Sequence, residues 1–538
     1  MKKQSFVFGA ILLAVSGIFC KLLGAIYKIP LTNILGSQGM GIYYLIFPVY
    51  AFFITFSSNS FTTAISKMVS KQIAENKNLL GYKTFKASLI LLSFLGFALG
   101  IILSSFSYLI ASLQGLESAY ICYLIIAPSI LLVSVISSFK GYFQGLQNMT
   151  PTAVGQILEQ LVKLSAGFLF AKILGKQGIL FGTMGALLGV TLSEFVTVVF
   201  FVLYFTFFKR RTKIYLDFSK ATDYEKQVSL KVLIKEVFKT SIPFTLSSII
   251  LPMSLVIDSF LIINILKSMH FDKGFATSLL GLNSGVVNTL VGLPSTLSVA
   301  ICMTIIPYIS FALSKKDFKG INQKTELAVK LTLLIAIPCV LVFAFFSTQI
   351  ITLLYGGTFE SIYELKVAAS LLTISSINVL YLSLLQISTA LLQSINKAYI
   401  PVASLAVSLI VKVLCEVFLI NNPYLNIAGA VISNTVCYFV SAVINIYYFR
   451  KNILLKFSFY RTIVCPIIAG LSMCFLIFLS FNVLQTFLGF SLSVIFSFVL
   501  GGVFYLILVF ILKTFTVEEQ NSIMFFKKFK TKKIENKS

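Results

Sequence analysis

The sequence predicts an all-α integral membrane protein with about 14 transmembrane helices, in two pseudo-symmetric six-helix lobes followed by two C-terminal helices. Of its 538 residues, 58% are hydrophobic and only 11% are charged, whereas about 25% of an average soluble domain is charged. Apolar runs of about 20 residues, the length that crosses a bilayer, recur along the whole chain. Basic residues concentrate in alternate connections between these runs.

Apolar stretches separated by polar breaks define the predicted helices. They cover residues 6–27, 41–63, 87–111, 119–138, 151–173, 178–208, 240–266, 279–311, 326–354, 367–392, 398–420, 427–449, 462–482 and 488–512. The first stretch is longer than a typical signal-peptide core and lacks a small-residue cleavage site. We therefore expect it to be a retained transmembrane helix.

The distribution of lysine and arginine supports this arrangement. With the N-terminus inside, the inner connections hold 33 of the 43 basic residues and the outer connections hold 6. The other four lie within spans, away from the outer ends where Lys172 is counted, and are Lys21, Lys163, Lys330 and Lys412. Because basic loops stay on the cytoplasmic side, most of the formal charge of +25 reflects topology. We expect both termini in the cytoplasm and no nucleic-acid partner.

The longest inner connection divides the chain near its middle. It is strongly basic and then mixed in charge, and we expect an amphipathic surface helix there. The predicted domains are an N-terminal six-helix lobe (1–208), this cytoplasmic connection (209–239), a C-terminal six-helix lobe (240–449), helices 13 and 14 (450–512) and a basic cytoplasmic tail (513–538).

An internal repeat relates the two lobes. At an offset of 249 residues, Gln144 aligns with Gln393 and Lys163 with Lys412, and a proline opens each following helix. The matched positions are polar, which favours duplication over chance similarity between apolar helices. The repeats run in the same direction, so the predicted symmetry axis lies along the membrane normal. Gln144 and Gln393 become candidate polar residues of a cavity.

Ionisable residues inside the predicted spans are the candidate functional residues, because each costs about 2.5–3.5 kcal/mol at the bilayer centre. Those within spans are Lys21, Glu159, Lys163, Glu194, Asp258, Lys412 and Glu416, and Lys28, one to two turns beyond Lys21 near the outer surface, is a further candidate. Lys21 and Lys28 are seven residues apart and share one face of the first helix, a candidate anion-binding face. The alternative for Lys28 is that it only reaches the outer interface.

The other candidates are two pairs and two single acids. Glu159 with Lys163, and Lys412 with Glu416, have i, i+4 spacing, so each pair either lines a cavity or only neutralises itself. Asp258 and Glu194 have no charged partner on their own helix. Asp258 lies deep in an apolar run and could bind a cation or a proton, or hold one of the deep lysines.

The same sequence argues against catalytic metal or nucleophile chemistry. His270 is the single histidine, and the eight cysteines form no C-x-x-C pair. We therefore expect no metal site and no histidine-based catalytic triad.

The segment CKLLGAIYKIPLTNILGSQGMGIYYLIFPVYAFFITFSSNSFTTAISKMVS resembles the start of the polysaccharide-exporter branch of the multidrug/oligosaccharidyl-lipid/polysaccharide (MOP) flippase superfamily. It is most similar to the stage V sporulation protein B type and the related lipid II flippases of Gram-positive bacteria. IPFTLSSIILPMSLVIDSFLI and GLPSTLSVAICMTIIPYIS extend the resemblance, which covers most of 1–455. It implies two six-helix lobes around a central cavity plus two extra helices, in agreement with the span count and the repeat.

The resemblance also implies a flippase of the bacterial cytoplasmic membrane. Its substrate would be an undecaprenyl-pyrophosphate-linked saccharide, such as lipid II, moved from the inner to the outer leaflet by alternating access. Lys21 matches the family's cationic position early in helix 1, although Cys20 precedes it here and Tyr27 stands where Gram-negative flippases carry an arginine. Lys21, Lys163 and Lys412 would hold the diphosphate, and Lys28 would substitute in part for the missing charge.

No cofactor is implied, so transport would draw on a coupling ion or the membrane potential. The expected partners are the lipid-linked anionic saccharide and membrane lipids, with cell-wall synthesis enzymes as a further candidate. A drug or cation antiporter of the same superfamily is the first alternative, and it would rely on cavity acids such as Asp258. A membrane-embedded glycan polymerase is the second, but it would need a catalytic acid in a sizeable outer loop, and the predicted outer loops are short.

Overall fold

The fold is built from helices. A computed structural model describes residues 6–212, 222–315, 317–357, 359, 361–395, 397–452, 458–512 and 514–515. In these ranges the chain is almost wholly helical and contains no strand, which confirms the predicted all-α class. Most of the predicted basic tail and the stretch 213–221 of the central connection lie outside the described residues.

Eighteen α-helices follow one another along the described chain. Those of the first half are α1 (Phe6–Ser57), α2 (Asn59–Ala74), α3 (Asn78–Ser105), α4 (Ser107–Leu113), α5 (Tyr120–Gly145), α6 (Thr150–Leu174), α7 (Ile179–Thr212), α8 (Asp223–Gln227) and α9 (Leu230–Ser248). Those of the second half are α10 (Ile250–Ser268), α11 (Lys273–Leu280), α12 (Asn288–Ser314), α13 (Phe318–Phe345), α14 (Ser347–Tyr355), α15 (Ile362–Ser394), α16 (Tyr399–Ile420), α17 (Ile427–Asn452) and α18 (Cys465–Ile511). Short 3-10 or π-helical turns occupy Glu117–Ala119, Gly175–Gln177, Gly281–Val287 and Tyr460–Val464.

A single glycine breaks each of the two longest helices. At 1.5 Å per residue, the 52 residues of α1 would extend about 80 Å, far more than a bilayer core. Gly36 has φ 68° and ψ −178° in the middle of α1, and Gly489 has φ 71° and ψ 170° in α18. Only glycine adopts this backbone region readily. Each glycine therefore separates two helical stretches within one continuous element.

Ten elements of the described chain are long and apolar enough to cross a membrane. This establishes a multi-pass membrane protein. The count of fourteen is not confirmed, because two of the ten contain the glycine breaks and two predicted spans, α6 and α10, are not among them. Fourteen therefore stays a prediction, and so does the arrangement in two lobes.

The helices form two compact units. The first comprises Met1–Leu290, Gly357–Glu364 and Leu409–Ser433, and the second comprises Val291–Gly356, Leu365–Ser408 and Asn434–Ser538. In the first unit, aromatic side chains of α3, α5 and α7 build much of the core, among them Phe85, Phe139 and Phe201. All the candidate charges of the sequence analysis lie in this unit.

The described end of the central connection docks onto the first unit. Thr222 and Glu225 form a capping box that starts α8. The Glu225 carboxylate also accepts a hydrogen bond from the Leu80 backbone amide at 3.2 Å, and Lys83 Nζ donates to the Glu225 carbonyl at 2.8 Å. These contacts hold α8 against the beginning of α3.

The second unit has its own apolar core around Ile309, Leu392 and Phe449. An apolar groove of about 270 Å³ lies in this unit, lined by side chains of α13, α15, α17 and the beginning of the last membrane element. Tyr505 of α18 donates a hydrogen bond to the Leu334 carbonyl of α13 at 2.9 Å.

Candidate functional site

The charged residues of the first unit fall into two clusters and one pocket. We call Lys140, Glu159, Lys163 and Glu194 the lysine-rich cluster. Ser254, Asp258, Lys412 and Glu416 form the carboxyl-rich cluster. A polar pocket beside α1, the α1 pocket, contains Lys28 and shares Asp258 with the carboxyl-rich cluster.

One carboxylate bridges two lysines in the lysine-rich cluster. Glu159 Oε1 lies 3.5 Å from Lys163 Nζ, one turn away on α6, and Glu159 Oε2 lies 3.7 Å from Lys140 Nζ of α5. Their side chains are 16–18% exposed. Glu194 of α7 is buried and interacts electrostatically with Glu159 and Lys163. The predicted i, i+4 pair is therefore part of a network that joins three helices.

Lys140 is a member of this network that sequence reasoning missed. It lies beyond residue 138, where the predicted span ends, and so falls in a predicted inner connection. The helix α5 nevertheless continues to Gly145. The continuation is stabilised by Phe139 and Phe143, which pack in the aromatic core. Aromatic residues at helical spacing beyond the apparent end of the span were the signal that could have extended it.

One lysine serves two acids in the carboxyl-rich cluster. Lys412 Nζ of α16 lies 2.5 Å from Asp258 Oδ1 of α10 and 3.7 Å from Glu416 Oε1. It also donates a hydrogen bond to Ser254 Oγ at 2.9 Å. The three ionisable side chains are 1%, 9% and 0% exposed, in the order Lys412, Asp258 and Glu416. Asp258 thus holds a deep lysine, one of the roles considered for it.

The α1 pocket has a volume of about 180 Å³. Its lining residues are Lys28, Tyr44, Phe47, Pro48, Leu255, Asp258, Ser259, Leu280, Ser284, Asn288 and Thr289. Lys28 Nζ lies 5.2 Å from the centre of the Tyr44 ring, a cation–π contact. The Tyr44 and Thr289 hydroxyls are 3.3 Å apart and hydrogen bonded. Lys28 therefore lines a pocket, as its candidate anion-binding role requires.

Lys21 lies on an exposed position of α1. In the described part of the chain it forms neither a salt bridge nor a side-chain hydrogen bond. Its neighbour Cys20 is within electrostatic range of Lys140, Glu159 and Lys163, so this turn of α1 runs beside the lysine-rich cluster.

The two aligned glutamines lie in different units. Gln144 is half-buried near the end of α5 in the first unit, and Gln393 is exposed near the end of α15 in the second. A cavity role for either stays a prediction.

A further ion pair, with a buried lysine, occurs in the second unit. Lys330 of α13 is fully buried, and its Nζ lies 4.0 Å from Glu326 Oε1. Sequence reasoning placed Lys330 within a span but did not propose it as a functional residue. Its i, i+4 spacing from Glu326 is the same signal that singled out the other pairs.

Two protein families match this sequence. A family described as "Polysaccharide biosynthesis protein" matches residues 6–313, more than half of the chain. A second family, described as "MatE", matches residues 274–418.

Two curated relatives from Bacillus subtilis (strain 168) align with most of the chain. One, lipid II flippase MurJ, is 26% identical over 504 residues, covering 90% of this chain and 89% of the relative. The other, stage V sporulation protein B, is 25% identical over 434 residues, covering 80% of this chain and 81% of the relative.

Solved structures share the fold at low sequence identity. The inward closed conformation of lipid II flippase MurJ superposes with a TM-score of 0.64 and 19% identity, covering 94% of this chain and 99% of that one. An inward-facing multidrug resistance MATE family transporter gives a TM-score of 0.61 and 16% identity, covering 82% of this chain and 98% of that one. Together with the family match, these likenesses confirm the predicted superfamily. The chain belongs to the polysaccharide biosynthesis protein family of the MOP flippase superfamily and is a multi-pass membrane transporter.

Proposed function

We propose that this protein is a flippase that moves an undecaprenyl-pyrophosphate-linked saccharide from the inner to the outer leaflet of the bacterial cytoplasmic membrane. Lipid II or a related cell-wall or polysaccharide intermediate is the proposed cargo. The observation that carries the proposal is the pair of lysines on α1, Lys21 within the first predicted span, where a charge is costly, and Lys28 just beyond it. Neither Lys21 nor Lys28 has a carboxylate partner within the described chain, and Lys28 lines a pocket.

The four candidate lysines take different parts in binding. Lys21 and Lys28 are available to a diphosphate in the conformation described, because no carboxylate of the described residues forms a salt bridge with either lysine. Lys163 and Lys412 are held in ion pairs with acids. They would join the diphosphate only by exchanging a carboxylate for a phosphate oxygen. With such an exchange of partners, the inward-facing and outward-facing states of an alternating-access cycle would have different sets of ion pairs.

The membrane potential supports the proposed direction. An inside-negative potential favours outward movement of an anion by about 2.3 kcal/mol per charge per 100 mV. In this proposal the two predicted lobes rock around the cargo while the lipid tail stays in the bilayer, and Gln144 and Gln393 contact the saccharide. Both termini face the cytoplasm, and cell-wall synthesis enzymes supply or consume the cargo.

Depletion in the native host tests the proposal. We expect a lipid-linked saccharide to accumulate in the inner leaflet, and wild-type protein to reverse the accumulation. Lys21→Ala should fail to reverse it, whereas Lys21→Arg, which keeps the charge, should succeed at least in part. If no lipid-linked intermediate accumulates while drug or cation efflux is lost, the proposal is wrong.

A drug or cation antiporter is the second candidate. The buried acids of the carboxyl-rich cluster and the fold likeness to MATE transporters favour it. In an antiporter, Asp258→Asn should impair transport more than Lys21→Ala. The flippase proposal expects the opposite order in the same complementation assay.

A further inference from the structure

The carboxyl-rich cluster has one cation for two acids. Lys412 is the lysine that contacts both Asp258 and Glu416, and the two carboxyl groups also lie next to each other. If both acids were ionised, the cluster would carry a net charge of −1. The lysine-rich cluster differs, because it has two lysines for two acids, with Glu159 contacting both Lys140 and Lys163 and Glu194 close by.

Burial makes the uncompensated charge costly. The Glu416 side chain is 0% exposed, and within the described chain neither of its oxygens has a hydrogen-bond partner. A buried carboxylate without hydrogen bonds is strongly disfavoured, and two acids that share one site do not both ionise readily. Asp258 makes the shorter contact with Lys412, so Glu416 is the acid left without close compensation.

The described residues around the cluster supply no second cation to it. The charged groups that act on Glu416 within the described chain are Asp258 and Lys412. From α1, Lys28 and Tyr44 face the pocket that Asp258 also lines, where Lys28 is engaged with the Tyr44 ring. From α10, Ser254 adds a neutral hydroxyl that accepts a hydrogen bond from Lys412.

We propose that Asp258 and Glu416 share one bound proton, which together with the Lys412 ammonium makes the buried cluster neutral. Asp258 lines the α1 pocket, so the proton exchanges with solvent through that pocket. One carboxyl O–H then donates to the neighbouring carboxylate, and the ionised carboxylate keeps its contact with Lys412. No covalent step is involved, and the ligand of the site is a proton.

The proton site also bears on cargo binding, a consequence that rests on the proposed function. Loss of the proton adds a negative charge beside the pocket that contains Lys28. Proton binding and binding of an anionic cargo therefore favour each other, and this linkage is reciprocal. The proton supplies a coupling mechanism in which protonation prepares the pocket for a diphosphate.

Infrared spectroscopy of the full chain in nanodiscs at neutral pH tests the site without transport. Wild type should show the carbonyl band of a protonated, buried carboxyl group. Glu416→Gln and Asp258→Asn should each remove that band, because the proton is shared and either remaining acid ionises beside Lys412. Glu159→Gln, from the lysine-rich cluster, should instead remove only ionised carboxylate signal.

Two infrared outcomes would overturn the proton site. One is a wild type without a protonated carboxyl band, or with a band whose intensity neither substitution lowers. The other is a change in the carboxylate bands when sodium replaces choline, abolished by Asp258→Asn, which would assign the site to a metal cation.

Binding of undecaprenyl pyrophosphate measures the linkage separately. Its affinity for wild type should fall as the pH rises above neutral, and Glu416→Gln should flatten this dependence. If the infrared result holds but wild type and Glu416→Gln share one pH profile, the proton site stands and its link to the proposed cargo is wrong. If wild type binds no undecaprenyl pyrophosphate at all, the proposed function fails and the infrared result is unaffected.

Discussion

The role of each deep lysine depends on the groups that its ammonium contacts. Lys163 shares one carboxylate with Lys140, Lys412 serves two carboxylates, and Lys28 contacts an aromatic ring. The sequence identified most of these charges, because an ionisable residue in an apolar run is conspicuous. It could not pair Lys412 with Asp258 or Ser254, since Ser254 is 158 positions away and only tertiary packing brings them together.

Removal of Lys412 should therefore harm the protein more than removal of Lys163. Lys412→Ala leaves a buried carboxylate without its cation, and breaking a buried pair in this way costs about 3–5 kcal/mol. Lys163→Ala leaves Glu159 with Lys140 at 3.7 Å, so its cost should be smaller. Thermal unfolding of the purified variants in detergent measures the difference.

The matched control is Lys412→Ala combined with Asp258→Asn, which should recover part of the lost stability because the uncompensated acid is gone. Equal losses for Lys412→Ala and Lys163→Ala would contradict the different charge balance of the two clusters.

At the scale of helices, glycines divide the longest elements and side-chain packing decides where others end. The sequence predicted a connection between residues 27 and 41, yet the backbone there is helical apart from Gly36. A polar stretch in the sequence indicates that a helix is interrupted but not how. Here the interruption is a single residue with positive φ. The extension of α5 past residue 138 was missed for a related reason, because its stabilisation comes from aromatic packing on other helices.

Gly489→Ala should destabilise the protein, and Gly502→Ala should not. Both glycines lie in α18, and a Cβ at either would have no atom within 4 Å, so neither change creates a clash. Gly489 has φ 71°, a region that costs a residue with a side chain about 1–3 kcal/mol. Gly502 is helical, and alanine there should be neutral or slightly stabilising.

Thermal unfolding of the two glycine variants side by side measures this backbone effect. If both variants melt at the wild-type temperature, the break at Gly489 does not depend on glycine.

At the scale of the whole molecule, composition and charge distribution were enough for the fold class. The all-α membrane fold followed from apolar runs, and basic residues suggested its orientation. The exact number of spans could not be established in this way. The helix α6 is long enough to cross a membrane, but Glu159 and Lys163 make it less apolar, so composition alone does not decide whether it crosses. The sequence also could not show which charged side chains pair across helices, because only tertiary packing brings them together.

The orientation of the whole molecule leads to a direct expectation. With 33 of 43 basic residues on one side of the predicted spans, the C-terminus should face the cytoplasm. A C-terminal green fluorescent protein fusion should fluoresce, and a C-terminal alkaline phosphatase fusion should be inactive. An active phosphatase fusion would require an odd number of spans or an inverted orientation.

Transbilayer movement in reconstituted vesicles tests the central claim most directly. Vesicles of purified protein would contain a fluorescent undecaprenyl-pyrophosphate-linked saccharide, and a membrane-impermeant reagent would report the fraction reaching the far leaflet. We expect wild type and Lys21→Arg to flip the lipid, and Lys21→Ala to be slower by about tenfold, the effect of losing about 1.4 kcal/mol of stabilisation. Wild-type vesicles that flip no faster than protein-free vesicles, or a Lys21→Ala variant as fast as wild type, would contradict the account.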